Sequence, residues 1–440
     1  MLVLVAATLP VPAQAASAAV RAAEVSFTGA GGVVLHGTVL APEGAVTTRR
    51  PGVVLLEGAG NRGRGYLMPE ARAYARHGIV ALVYDKRTVG YSLTQRDYSV
   101  LADDALAAVR LLRERADVDP ARVGLWALSE GAFVSPIAAR SSDVAFLITV
   151  GAVATTPAVQ TAWAYGTYLR HAGVTGGLIG TMQHTATAAA IGARLFPEAG
   201  FDPIPHWMAV RQPVLAQWGQ LDRDSIPGQS SRMIRTALER GGNAHHVIRI
   251  VPSVNHNLHV TQADGYDRLP TLPADYGDAE AAWIADPAHA PASSGVDLGA
   301  EPDVPVIATP AWYDAAWAQL TTLLVLFGAF LAYPLSRRRG RQGLPVARWL
   351  AGLGPLTLAG TLVYLLFLLI TAAKVPGPVL WGRPAAWLVL QLLAIATVGT
   401  TGTLGWVLWR RRDLPRTRFA VLLAGGVLFV PWAVHWGLLG

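Results

Sequence analysis

The stretch GLWALSEGAF, residues 124–133, sets Ser129 between Ala127, two residues before it, and Gly131, two residues after it. An apolar run leads into this segment and helix formers follow, so the serine falls where a strand hands over to a helix. A serine at such a turn takes up a strained backbone and lifts its hydroxyl above the sheet. The residues two away on either side pass close to neighbouring backbone and must be small. At the start of the helix, the Glu130 N–H would face a developing oxyanion. Serine alone is a poor nucleophile; it needs a base, and the base needs an orienting acid. GQLDRDS (219–225) directly follows the run PVLAQW, which puts Asp222 at a strand's end with Asp224 as the second choice. One strand later, PSVNHNL places His256 in a loop. The expected chemistry is acyl transfer, with Ser129 as nucleophile, His256 as base and Asp222 behind the ring. Each residue has a plainer reading, as a strand-end serine, a capping aspartate and a loop histidine.

The elements that must position these residues alternate along the chain. VVLHGTVLAP (33–42), GVVLLEGAG (52–60), IVALVYDKR (79–87), RVGLWALS (122–129), VAFLITVGA (144–152), PVLAQWGQLD (213–222) and HHVIRIVPSVNH (245–256) read as strands. MPEARAYARHG (68–78), LADDALAAVRLLRERA (101–116), a helix beginning at Glu130, another over 229–241 and a last one near 278–287 read as helices. Continuous apolar strands between helices predict an α/β fold: a mostly parallel sheet covered on both faces. A helical insert over 153–211 is expected to act as a lid, with Trp163, Tyr165 and Trp207 lining a substrate pocket, and Tyr168 and Phe196 beside them.

The segments LLEGAGNRGRG, YDKRTVGYS, ARVGLWALSEGAF, FDPIPHWMAVRQPVLAQWGQLDRDSIP and VPSVNHNLHV, spread over about residues 25–265, resemble an α/β-hydrolase. The resemblance is to the exported esterase and thioesterase-like group related to prolyl oligopeptidases and dienelactone hydrolases. It implies the α/β-hydrolase fold, and a triad in the chain order of Ser129, Asp222 and His256. It also implies a second oxyanion donor from the loop Gly58-Ala59-Gly60, here Ala59. The group often has His-Gly where this chain has Glu57-Gly58, a carboxylate near the oxyanion loop unless it turns away or pairs with Arg62 or Arg64.

The remaining third of the chain is of another kind. Apolar residues make up 52% of the whole, and four uncharged stretches (315–336, 349–373, 384–409 and 419–438) are each long enough to span a hydrocarbon core. Trp312, Tyr313, Tyr333, Trp349, Trp381 and Trp409 stand near their ends, as an interfacial belt requires. An all-α domain of four transmembrane helices over 312–440 is therefore expected after a linker at 291–311 and a hydrolase domain at 22–290. The loops 336–348 and 410–418 carry five arginines each, whereas 374–384 carries only Lys374 and Arg383. The first two are expected in the cytoplasm and the third outside. Residues 1–16 end in Ala13-Gln14-Ala15 and read as a signal peptide or N-terminal anchor. Both features predict a multi-pass protein of the cell membrane with an extracytoplasmic catalytic domain.

Composition excludes several classes. Twelve of the 36 basic residues but only two of the 29 acidic ones lie from Thr309 onward, so the positive charge belongs to the membrane region and argues against nucleic-acid binding. There is no cysteine, hence no disulfide, thiolate metal site or cysteine nucleophile. His245, His246, His256 and His259 have no carboxylate at ligand spacing, and GAGNRGRG lacks the lysine of a phosphate-binding loop. No metal or cofactor is expected. The expected activity is cleavage of a small-molecule or lipid acyl ester or thioester. A peptidase, amidase or acyltransferase with the same triad is the near alternative. An inactive hydrolase-fold sensor on a membrane anchor is the distant one. A transporter is disfavoured because ionisable residues are almost absent from the spans.

Overall fold

The computed structural model describes residues 19–44, 48–92, 94–287, 298, 301–335, 344–411 and 416–440, with the side chains of 416–418 excepted. The expected export segment and most of the two arginine-rich loops lie outside the described residues.

Eight strands form one sheet: β1 (Val20–Thr28), β2 (Val34–Pro42), β3 (Arg50–Leu56), β4 (Val80–Tyr84), β5 (Val118–Leu128), β6 (Leu147–Val150), β7 (Val214–Gly219) and β8 (His246–Val251), in the order β1-β2-β4-β3-β5-β6-β7-β8. From β4 to β8 every pairing is parallel; β1 and β2 join antiparallel at one edge. β1 adds a strand to those expected from the sequence. It lies at the sheet edge and is largely exposed, so it carries no apolar run to announce it.

The helices that cover the sheet are α1 (Met68–Arg76), α2 (Tyr98–Arg113), α3 (Gly131–Ala138), then α4 (Pro157–His171), α5 (Gly177–Gly180), α6 (Thr187–Gly192) and α7 (Ile204–Ala209), followed by α8 (Pro227–Arg240) and α9 (Asp278–Ala285). Alternate residues of the central strands serve opposite faces. Val54, Leu56, Leu125 and Ala127 pack beneath α2 and α3, while Val53, Leu55, Trp126 and Leu128 pack with residues of α1 and α9. This two-sided burial is why those strands read as continuous apolar runs rather than alternating ones. Asp97 caps α2 by accepting the Ser99 and Val100 N–H groups, and Thr156 caps α4 at Val159.

Beyond the sheet, α10 (Ala316–Leu335), α11 (Pro345–Ile370), α12 (Ala385–Arg410) and α13 (Arg416–His435) form a closed antiparallel bundle. The first three are long and apolar enough to cross a membrane; α13 adds a shorter apolar stretch, Phe419–His435. Leu324, Val363, Leu366, Leu392 and Ile395 point outward and exposed, as side chains facing lipid do. Between α11 and α12, β9 (Val379–Leu380) and β10 (Arg383–Pro384) make a hairpin whose turn, Trp381-Gly382, has positive φ at both residues.

The bundle and the helical insert share one core. Tyr165, Leu169, Leu178 and Met182 bury against Ala373, Trp432, Trp436 and Leu438. The Thr175 N–H donates to the Gly382 carbonyl at 2.7 Å, and the Thr181 hydroxyl donates to the Trp436 carbonyl at 3.2 Å. The insert is therefore clamped between the sheet and the ends of the apolar bundle helices.

Candidate active site

Ser129 follows β5 directly and precedes α3, and its φ is +52°. A side-chain-bearing residue held in the left-handed region costs about 1–3 kcal/mol, strain that marks an over-determined site. The surroundings explain the small neighbours. Ala127 is fully buried between Leu56 of β3 and Thr149 of β6. A methyl group at Gly131 would meet the Leu56 carbonyl at 2.9 Å, and one at Gly58 would meet the Ser129 β-carbon at 3.3 Å. The Ser129 N–H is anchored on the Val150 carbonyl at 2.9 Å, which leaves the hydroxyl above the sheet.

Asp222 sits in the turn after β7, fully buried. Its Oδ1 accepts the Asp224 and Ser225 N–H groups at 2.8 and 3.1 Å. Its Oδ2 accepts the Ser225 hydroxyl and, at 2.8 Å, the His256 Nδ1 proton. A carboxylate can only accept here, so Nδ1 carries a proton, the arrangement that in the neutral ring leaves the lone pair on Nε2. His256 lies in the loop after β8 and lines the same cavity, about 370 Å³, as Ser129. Two glycines let that loop cross the top of the sheet. At Gly219 any β-carbon would strike the carbonyls of Val254 and Asn255; at Gly151 (φ +60°) it would lie 2.5 Å from His256 Nδ1. Sequence reasoning missed Gly151, because a glycine at a strand end carries no signal of the ring it must admit.

A parallel sheet, a strained serine between β5 and α3, an acid after β7 and a histidine after β8 now stand together. This is the α/β-hydrolase fold.

Around the serine, Ala59 and Glu130 line the cavity, and the N–H of neither donates to another group among the described residues. The neighbouring Gly60 N–H is taken by the Tyr91 hydroxyl at 2.9 Å. Beneath this loop lies a buried polar network absent from the sequence reading. Lys86 donates to the Gly58 carbonyl and, at 2.9 Å, to Glu130 Oε1; Tyr91 donates to the same oxygen at 2.7 Å; Arg96 pairs with Oε2 at 2.7 Å. Lys86 thus ties the loop after β3 to the turn after Ser129. The available signal was the lysine in YDKR, directly after a buried strand. Glu57 turns into a small cavity shared with Lys86 and Glu130, and accepts the Arg62 main-chain N–H at 2.9 Å. Arg64 pairs instead with Glu24 and Asp85. Burial pushes the Glu57 carboxyl up, against the pull of Lys86 and Arg62.

Asp224, the second choice for the triad acid, does not bond the imidazole. Its carboxylate lies among Arg268, Lys374 and the Tyr168 hydroxyl, the last two at 3.3 and 3.2 Å. Burial would raise this carboxyl, but Arg268 and Lys374 hold it well below the usual carboxylate range. Asp222, Asp224 and His256 do present ligand atoms within 4.8 Å of one another. Two fixed cations against the same carboxylate oppose a bound metal ion there.

The expected pocket aromatics separate. Tyr165 lines the cavity, as does Phe196. Trp207 does not: α7 packs on α3 and α8, so its indole enters the core beside Trp218 and Ile234. Trp163 does not either; it faces the other side of α4, packs on Ile226 and donates to the Pro302 carbonyl at 3.1 Å. In their place come residues from the C-terminal helical region, Ile370, Ala372 and Lys374. A further cavity of about 430 Å³ between α10 and α13 is lined by none of Ser129, Asp222 and His256.

No family model matches the chain, and no curated protein matches it. Among solved structures it is similar, over 60% of its length, to a dipeptidyl peptidase 4 from Porphyromonas gingivalis (13% identity, TM-score 0.42, 35% of that chain covered). Over 54% of its length it is similar to a puromycin-hydrolysing peptidase from Mycobacterium tuberculosis (19% identity, TM-score 0.39, 36% of that chain). Over 61% it is similar to a dienelactone hydrolase-like promiscuous phosphotriesterase from metagenomic libraries (16% identity, TM-score 0.41, 98% of that chain). The chain spans about a third of the length of the two peptidases.

Proposed function

We propose that this protein is a membrane-tethered serine hydrolase that cleaves acyl esters or thioesters. The observation that carries the reading is the strained Ser129 in one cavity with a histidine whose Nδ1 proton is held by a buried carboxylate. His256 Nε2 takes the hydroxyl proton as Ser129 Oγ attacks the acyl carbon. The Ala59 and Glu130 N–H groups take the charge that develops on the carbonyl oxygen. The bond to the leaving alcohol or thiol breaks, and that group leaves with the proton from His256. Water, deprotonated by the same imidazole, then attacks the acyl-enzyme, releasing a carboxylic acid and restoring Ser129.

The membrane helices tether this site to the bilayer. Their inter-helix hairpin docks on the insert, and Ile370 and Ala372 reach the cavity wall, which supports a substrate drawn from the membrane or its surface. The arginine-rich loops belong to the opposite ends of the helices, so the positive-inside bias supports an extracytoplasmic site. Because the chain lacks cysteine, single-cysteine variants read this directly. Val375→Cys, exposed in the α11–α12 connection, is expected to react with an impermeant maleimide on intact cells, and Gly340→Cys only after lysis. The reverse pattern places the site in the cytoplasm.

The activity itself is tested on the full-length chain in detergent micelles with p-nitrophenyl esters of graded length beside aminoacyl anilides. Ester turnover that disappears in Ser129→Ala is expected. Faster turnover of the anilides identifies a peptidase with the same triad.

A further inference from the structure

The charges around the cavity do not balance. Glu130 is shared by Arg96 at 2.7 Å and Lys86 at 2.9 Å, so it has no charge left for the other cations. Asp224 is shared by Arg268 and Lys374, so that group keeps one positive charge in excess. Arg62 adds another. Its guanidinium lies 4.2 Å over the Tyr66 ring and reaches the Ala59 carbonyl at 3.4 Å, with no ion-pair partner among the described residues. Two acids that lie outside the cavity lining are engaged: Asp222 holds His256, and Glu57 accepts the Arg62 main-chain N–H while its carboxylate faces the separate small cavity with Lys86. Arg62, Arg268 and Lys374 come from three separate loops, the last from the membrane region, and all three line the cavity with Ser129. The same lining includes apolar side chains, among them Phe133, Val153, Ala164 and Ile370.

We propose that Arg62, Arg268 and Lys374 form an anion subsite, so that the scissile ester belongs to an amphiphile carrying a phosphate or carboxylate. This rests on the serine-hydrolase reading and names its substrate class. Guanidinium and ammonium groups together suit a doubly bonded oxyanion, Arg supplying paired donors and Lys a point charge. Burial, with Arg268 and Arg62 nearby, lowers Lys374 from the ordinary lysine value in spite of Asp224, as a cation cluster short of one anion does. The third arm comes from the α11–α12 connection, so the subsite is complete only when the membrane region is in place.

The test compares mono-p-nitrophenyl glutarate with p-nitrophenyl pentanoate, which differ by a carboxylate in place of a terminal methyl. With the full-length chain in non-ionic micelles, kcat/KM is expected to favour the anionic ester by about tenfold, the scale of one charge-assisted hydrogen bond. The ratio is expected to fall toward one in Arg62→Gln, an exposed position safe for folding, and in Lys374→Gln, while Lys374→Arg retains most of it. Vesicles of phosphatidylglycerol against phosphatidylcholine identify the source. Fatty-acid release from the anionic lipid alone indicates a lipid headgroup, and anion preference on the soluble pair alone indicates a free anionic ester. Equal turnover of both members in both assays overturns the subsite and leaves the hydrolase standing. Equilibrium dialysis of the same two esters against Ser129→Ala reads the subsite without turnover. Preferential binding of the glutarate there supports the subsite even if the wild-type chain hydrolyses neither, in which case the hydrolase reading is what fails.

Discussion

Replacement of Asp222 by asparagine is expected to lower kcat on a p-nitrophenyl ester by about 10⁴-fold without unfolding the chain. The carboxylate forces the Nδ1 proton toward itself, which leaves Nε2 free to take the serine proton. An amide in its place turns a donor toward Nδ1 and favours the other tautomer, in which Nε2 is already protonated and no base faces Ser129. The Asp224 and Ser225 N–H groups still donate to the asparagine carbonyl oxygen, and the Ser225 hydroxyl can accept from its amide, so the turn persists. Asp224→Asn is the contrasting variant. It loosens Arg268 and Lys374 and is expected to move KM more than kcat. A steady-state comparison of the two separates them; equal loss of kcat in both contradicts the assignment of roles.

The second large effect concerns a residue that makes no hydrogen bond to Ser129, Asp222 or His256. Gly151→Ala is expected to cut kcat by about 100-fold or more, the scale of an ångström's displacement of a catalytic group. The new methyl would overlap the imidazole, and φ of +60° prevents the backbone from turning it away at no cost. Either the ring moves off Ser129 or the end of β6 shifts. Circular dichroism and the kinetics of His256→Ala with and without the change decide between them. If Gly151 acts through the ring, the double variant is no slower than His256→Ala alone. Additive losses show a general disturbance of the sheet instead.

What could be read from the chain, and what could not, follows from the range of the forces involved. The central strands announced themselves because both their faces are buried, and Ser129 because its turn admits only small neighbours. That Asp222 rather than Asp224 meets His256 was also legible, since the first acid past the end of β7 stands nearest the sheet top. β1 was not, being an exposed edge whose residues answer to solvent as much as to packing. The roles of Trp163, Tyr165 and Trp207 were not separable either. All three sit in apolar helical segments, and which side of a helix meets a cavity depends on how it docks on α3, α8 or the segment near Pro302. The contribution of Lys374 lay furthest from view. It is 150 residues from Asp224 in the chain, and only the packing of the insert against the C-terminal helix bundle joins them. A single lysine in a short connection between apolar spans was the one trace of it.

The most direct test of the central claim is a fluorophosphonate reaction with the folded full-length chain, followed by peptide mass spectrometry. One adduct on Ser129, lost in Ser129→Ala and slowed in His256→Ala, is the predicted result. Folded protein that takes up no adduct, or takes it on another residue, contradicts the assignment of a serine nucleophile.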